Sequence, residues 1–363
     1  MRILILANND IGLYKFRREL IQELLRENTV YILLPYGKLV DPLVDAGCLF
    51  IDTPMERRGI NPLKDLKLLW MYFRILSDIQ PDLVISYTIK PNIYGGWACK
   101  VKKIPYAVNI TGLGTAFENN GLLKQIVTIM YKAALKKANV VFFENSANRD
   151  FFVKEGIVRE EKTCVLNGAG VNLDFFSYSP YPQKDVFSFL FIGRVMKEKG
   201  IEELFEAMKM LVAEGQKCYL NVIGPFEEDY EDRLKEYENE GWLKYHGYQD
   251  DVRPFIRDCN CFVLPSYHEG MANTNLEAAA MGRPVITSNI PGCKEAVIDK
   301  VSGFLCESKD VESLYRCMKQ MIESDNREEM GRAACRHMKD GFGKMTVVKN
   351  TLTALYSSIQ QDR

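Results

Sequence analysis

The stretch "NCFVLPSYHEGMANTNLEAAAMGRPVITS", residues 260–288, holds the plan of the whole chain in miniature. A short apolar run (260–266) ends in a loop, "YHEGMANT", that carries Glu269. The loop enters strong helix formers, "NLEAAAMG", closed by Gly282, and a second apolar run follows at 283–288. Strand, loop, helix and strand in that order make a crossover unit, which sets the two strands parallel. Strands covered on both faces read as continuous apolar runs, as these do.

Outward from this unit the rhythm repeats. Strands are expected at 2–7, 30–35, 82–87, 106–111 and 139–145, then at 187–193 and 218–224, with a first helix around 15–26. Alternation of this kind predicts an α/β protein of doubly wound parallel sheets. The irregular stretch "FFSYSPYPQKD" (175–185), with Pro180 and Pro182 among aromatics, reads as a linker. The chain then divides into an N-terminal domain (1–174), the linker, and a C-terminal domain (186–344). A final helix at 345–363 is expected to pack back on the first domain. In doubly wound sheets ligands bind beyond the carboxyl ends of strands. The informative residues are therefore those that leave strands.

Length agrees with two domains, because 363 residues exceed the size at which a single core stops growing. Residues 1–180 hold 23 Lys and Arg against 18 Asp and Glu, and the remainder 24 against 30, for a net charge of −1. That balance argues against a nucleic-acid partner. The ten cysteines form no C-x-x-C and read as buried reduced thiols. The three histidines, His246, His268 and His337, lack metal-ligand spacing, so no metal is expected. "MRILILANND" reads as a first strand and not as a secretory leader. No apolar stretch approaches the ~18 residues of a membrane span.

Three loops of the first domain follow strands: "NNDIGLYKF" with Gly12 in an expected turn, "TIKPNIYGG" (88–96) with Lys90, and "NITGLGTAF" (109–117) with Thr111 and Gly112. Neither "GLGTAF" nor "GAGVNL" (168–173) completes a dinucleotide fingerprint, which removes a dehydrogenase reading. In the second domain "FLFIGRVMKEKG" (189–200) releases Gly193, Arg194 and Lys199 from a strand end. A planar guanidinium and a compact ammonium suit a diphosphate. The helix after Glu269, with Asn273 or Thr274 as its expected cap, adds amide donors and a favourable field for the same anion. Glu277, expected in the first turn of that helix, suits a ribose diol, and Glu269 a sugar.

These residues carry a family resemblance. "GRVMKEKG", Glu269-x7-Glu277, "GVNLDFF" (170–176) and "KVSGFL" (300–305) together resemble retaining glycosyltransferases of the GT-B fold, the group that contains sucrose synthase and mannosyltransferases. The resemblance implies two Rossmann-like domains facing across a cleft. It places Arg194 and Lys199 on the donor diphosphate, Glu277 on the ribose and Glu269 on the donor sugar. Gly193 and the backbone at Met271, Ala272, Asn273 and Thr274 complete the donor cradle. "TIKPNIYGG" and "NITGLGTAF" resemble bacterial enzymes that extend sugars on undecaprenyl diphosphate for capsule, O-antigen or N-glycan assembly. Asn172 stands where relatives carry aspartate, and Thr111 or a neighbour where many carry histidine.

The expected activity is metal-independent retaining transfer of a hexose or N-acetylhexosamine from a nucleotide sugar, with UDP the expected nucleotide, to a lipid-linked sugar. No D-x-D occurs, so fixed cations and amides are expected to neutralise the leaving diphosphate. No cofactor beyond the donor is implied. A sugar-nucleotide 2-epimerase on a similar two-domain fold is the alternative, and a silent nucleotide-binding module a further one. The helix pattern at 121–140 sets Leu123, Val127, Met130 and Ala134 toward the sheet and Lys132, Lys136 and Lys137 elsewhere. Those lysines point to peripheral contact with an anionic membrane, at the inner face of the cytoplasmic membrane.

Overall fold

A computed structural model describes residues 1–55, 61–113, 117 and 121–360. The chain forms two units, one of Met1–Ala169 with Met345–Arg363 and one of Gly170–Lys344.

The first unit runs β1 (Arg2–Leu6), α1 (Asp10–Leu25), β2 (Thr29–Leu34), α2 (Asp41–Asp45), β3 (Leu49–Asp52), α3 (Pro62–Ile79) and β4 (Leu83–Tyr87). A π-helical turn, Pro91–Gly95, leads into α4 (Gly96–Lys102), followed by β5 (Tyr106–Ile110), α5 (Leu122–Leu135), β6 (Val140–Phe143), α6 (Ser146–Lys154) and β7 (Thr163–Val165). The second unit holds β8 (Phe187–Ile192), α7 (Ile201–Ala213), β9 (Cys218–Ile223), α8 (Glu231–Asn239), β10 (Leu243–Tyr245) and α9 (Arg253–Asp258). It continues with β11 (Cys261–Leu264), α10 (Asn273–Ala280), β12 (Val285–Ser288), β13 (Gly303–Cys306), α11 (Val311–Glu323) and α12 (Arg327–Gly341). The closing helix α13 (Lys344–Gln360) returns to the first unit.

All ladders are parallel. Strand order is β3-β2-β1-β4-β5-β6-β7 in one sheet and β10-β9-β8-β11-β12-β13 in the other. Both are doubly wound, and the winding reverses between β1 and β4 and between β8 and β11. On one face of the first sheet α3, α4 and α5 bury Tyr72, Cys99 and Tyr131. On the other, α1 and α13 bury Leu20, Leu24, Val347, Val348 and Leu355. A fully buried aliphatic side chain contributes about 1.5–3 kcal/mol, so α13 is firmly held by its apolar stripe.

Three local readings are corrected. Helix α1 starts at Asp10, not near residue 15, because the Asn9 side chain accepts the Gly12 N–H at 2.7 Å and caps it. Gly12 is thus a first-turn helix residue and not part of a turn. In α5, Val127 and Ala134 are buried and Met130 packs on the core, but Leu123 is 40% exposed. Four strands without a long apolar run, β3, β7, β10 and β13, join those expected.

The stretch 175–185 belongs to the second unit. There the wholly buried Arg283 donates to the carbonyls of Ser179 and Pro180 at 3.2 and 2.8 Å and to the Ser179 hydroxyl at 2.7 Å. Asn172, at the head of this unit, accepts the amides of Asp174 and Phe175 at 3.1 and 3.0 Å and sets the turn. All ten cysteines are free thiols, buried or half-buried.

Candidate active site

The two motif loops of the second unit leave β8 and β11, the adjacent strands that flank its reversal point. That is where a doubly wound sheet opens a crevice for a ligand. After Gly193 the β8 loop closes through a 3-10 turn at Lys197–Lys199 and ends at Gly200. Gly200 has φ +72°, and a Cβ there would lie 2.0 Å from the Pro265 carbonyl oxygen. Only glycine permits this approach. The loops are then stitched together, since the Glu198 carbonyl accepts the Tyr267 N–H at 2.9 Å and the Ser266 hydroxyl at 3.2 Å.

This stitching brings the Lys199 ammonium into direct contact with the Glu269 carboxylate, both largely shielded from solvent. His268 Nε2 lies 3.6 Å from Glu198 Oε2 beside them. Cys293 is buried nearby; burial pushes its thiol well above the ordinary value, with Glu269 adding to the effect. Arg194 sits further out, Nη1 3.4 Å from Glu227 Oε2, with 42% of its side chain exposed. Glu227 follows β9 and escaped the sequence reading, because nothing local marks a lone carboxylate in "PFEED" as an arginine's partner.

Helix α10 begins at Asn273 behind Ala272, with no side-chain cap, so neither Asn273 nor Thr274 is the cap. Glu277 consequently lies in the second turn and not the first. The Ala272 N–H, expected in the amide cradle, is donated to the Gly292 carbonyl at 2.7 Å. Of the four expected cradle amides, all among the described residues, only that of Ala272 is committed in this way; those of Asn273 and Thr274 lie in the first turn of α10, where a helix leaves N–H groups without intrahelical partners. Met271 is buried just before them. Gly292, a second residue absent from the sequence reading, has φ +87°, and a Cβ there would meet the carbonyl oxygens of Glu269 and Gly270 at 2.6 and 2.7 Å.

In the first unit Lys90 follows β4 and binds Asp65 of α3 at 2.8 Å. Burial, with Asp65 adding, pushes the neighbouring Tyr94 phenol up to about 12. Thr111 and Gly112 follow β5. Asn92 donates to the Asn109 carbonyl at 2.8 Å and Asn109 to the Ser86 carbonyl at 3.2 Å, tying the β4 and β5 exits together. Thr88, between β4 and Lys90, has φ +72°. A β-branched residue is strained in that region, and such strain concentrates at functional sites.

Two family models match the chain, "Glycosyl transferases group 1" over residues 178–337 and "Glycosyl transferase 4-like" over 2–145. The chain belongs to the group 1 glycosyltransferases, enzymes of the GT-B fold. It is 29% identical over 343 residues to an N,N'-diacetylbacillosaminyl-diphospho-undecaprenol α-1,3-N-acetylgalactosaminyltransferase of Campylobacter jejuni, covering 90% of each chain. A UDP-Gal:α-D-GlcNAc-diphosphoundecaprenol α-1,3-galactosyltransferase of Escherichia coli is 26% identical over 84% of this chain and 83% of its own. Among solved structures, Anabaena HepE in complex with UDP superposes with a TM-score of 0.80 at 17% identity, over 98% of this chain and all of that one. A Rickettsia africae glycosyltransferase does so with a TM-score of 0.80 at 18%, over 99% and 98%. The two curated relatives are transferases by name, and the 2-epimerase alternative finds no support in them.

Proposed function

We propose that this glycosyltransferase moves a hexose or N-acetylhexosamine, with retention, from a UDP-sugar to a sugar carried on undecaprenyl diphosphate. The observation that carries the site assignment is the contact of Lys199 with Glu269 beside α10, at the reversal point of the second sheet. A cation for the diphosphate and a carboxylate for sugar hydroxyls meet there, as they must where a sugar joins its phosphate. The acceptor assignment draws on the Campylobacter and Escherichia relatives, whose names specify undecaprenol-linked acceptors. The Escherichia enzyme's name also specifies UDP.

In this reading Arg194, Lys199, Gly193 and the amides of Asn273 and Thr274 hold the diphosphate. Glu277 accepts from the ribose and Glu269 from the sugar. The bond from the anomeric carbon to the diphosphate breaks, and the acceptor oxygen bonds to that carbon on the same face. The acceptor proton passes to the leaving phosphate oxygen. Fixed cations and amides stabilise the developing charge without reorganising. Gly12, in the first turn of α1, and Lys90, Thr111 and Gly112 lie on the acceptor side. Among the described residues no helix is long and apolar enough to cross a membrane. A lipid-borne acceptor nevertheless places the enzyme at the inner face of the cytoplasmic membrane.

The direct test incubates the protein with UDP-sugars and a diphosphate-linked sugar acceptor. A product of unchanged anomeric configuration is expected; loss of a 2-deuterium label from the donor without any acceptor would favour epimerisation. Activity is expected to survive excess EDTA, and complete, magnesium-reversible loss contradicts the charge-cradle mechanism. The two glutamates should also separate. Glu277→Ala is expected to weaken binding of free UDP about tenfold or more, the scale of a lost hydrogen bond to a charged acceptor. Glu269→Ala should leave UDP affinity nearly unchanged and reduce transfer. Titration calorimetry showing equal UDP losses in both variants sinks this division of roles.

A further inference from the structure

We propose that the outer surface of α3, α4 and α5 docks on an anionic lipid bilayer by apolar insertion as well as by charge. The proposal rests on the lipid-linked acceptor reading and extends it to a particular face of the first unit. These three helices cover one face of the sheet, with α4 packed against both neighbours. Their inner stripes are buried, yet α3 and α5 also carry apolar stripes on their exposed sides.

On α3, Leu63, Leu66 and Trp70 lie at three- and four-residue spacing, 80%, 63% and 64% exposed. On α5, Leu122, Ile126 and Ile129 repeat the pattern, with Leu122 73% and Ile129 65% exposed. A soluble surface scatters such residues singly, whereas here exposed apolar stripes stand on α3 and α5 to either side of α4, whose Val101 is also exposed, and such a patch marks an interaction site. Tryptophan and leucine beside lysines form the pattern of a surface seated at the headgroup boundary.

Charge identifies the occupant. Neither α4 nor α5 contains an aspartate or glutamate. The two acids of α3 are Asp65, buried against Lys90, and Asp78, set against Arg74 at 3.8 Å. Lys67, Lys102, Lys103, Lys132, Lys136 and Lys137 are all exposed around the apolar stripes. A second copy of this chain would bring the same positive face and be repelled. Anionic headgroups over hydrocarbon satisfy both components. The face also reaches the acceptor side, since Leu63 and Leu66 flank Asp65, the residue that holds Lys90.

The test is co-sedimentation of the full chain with vesicles of phosphatidylglycerol in phosphatidylcholine and of phosphatidylcholine alone. Binding to the anionic vesicles, weakened by salt, is expected. Trp70→Glu combined with Ile129→Glu should reduce it about tenfold or more, with circular dichroism and thermal midpoint near those of the parent. A second readout needs no glutamate variant: brominated lipids should quench the protein's fluorescence, and Trp70→Phe should abolish most of that quenching. Unchanged vesicle binding in the double variant overturns the proposal. So does absence of binding by the parent, or an oligomer that the variants dissolve. Transfer by the parent protein to a short, water-soluble acceptor tests the function reading separately, and its absence overturns that reading. Its presence alongside unchanged vesicle binding in the double variant overturns the docking surface alone.

Discussion

Lys199→Ala is expected to slow sugar transfer by ~100-fold or more, with Arg194→Ala close behind, the scale of removing a fixed donor from a developing negative charge. The two variants should differ in stability. Arg194 is 42% exposed and pairs with Glu227 across 3.4 Å, so its loss should leave folding nearly intact. Lys199 and Glu269 have side chains only 18% and 14% exposed, and removing the lysine leaves a shielded carboxylate without its cation. Lys199→Ala should therefore lower the unfolding midpoint as well. Adding Glu269→Ala should recover part of that stability without restoring turnover, a double-mutant comparison that separates structural from chemical loss. Near-normal rates in either single variant would remove that residue from the leaving-group site.

Arg283→Met should destabilise the second unit by about 3–5 kcal/mol, the cost of leaving several buried carbonyls without donors. Arg283 is fully buried, and its guanidinium reaches the Ile256 carbonyl at 2.9 Å, Arg257 at 3.0 Å and Gly282 at 3.0 Å, besides Ser179 and Pro180. It thereby closes the end of α9, whose last carbonyls have no helical partner, and fastens residues 179–180. No carboxylate takes part in these bonds. Lysine cannot substitute, because three donors on a point charge cannot replace a five-donor planar fork. Urea unfolding of Arg283→Met and Arg283→Lys checks this, and a loss under about 1 kcal/mol in both would show the cluster to be dispensable.

The central strands were legible because burial on both faces demands continuous apolar sequence. "FSFLFI" is buried at every position as β8, and "LVISY" as β4. The strands that escaped are the four at the sheet edges: β3, β7, β10 and β13. An edge strand has one neighbour and is short, and β3, β7 and β10 are partly exposed, so little apolar signal is needed or present. The same limit governed helix starts. Asn9 capping Gly12 fixes the start of α1 through one side-chain hydrogen bond, which hydrophobic spacing does not encode.

By itself the sequence determined the alternating α/β pattern, the position of Arg194, Lys199 and Glu269 on loops that leave strands, and the absence of a D-x-D pair, since each follows from residue type and short-range spacing. Tertiary structure alone decided that Lys199 meets Glu269 across 70 residues of chain. It also decided that Glu227 faces Arg194 and that Gly292 takes the Ala272 amide. The physical reason is strand order. Placing β8 beside β11 juxtaposes two loops remote in sequence, and positive-φ glycines let their backbones approach closely enough for the charges to touch.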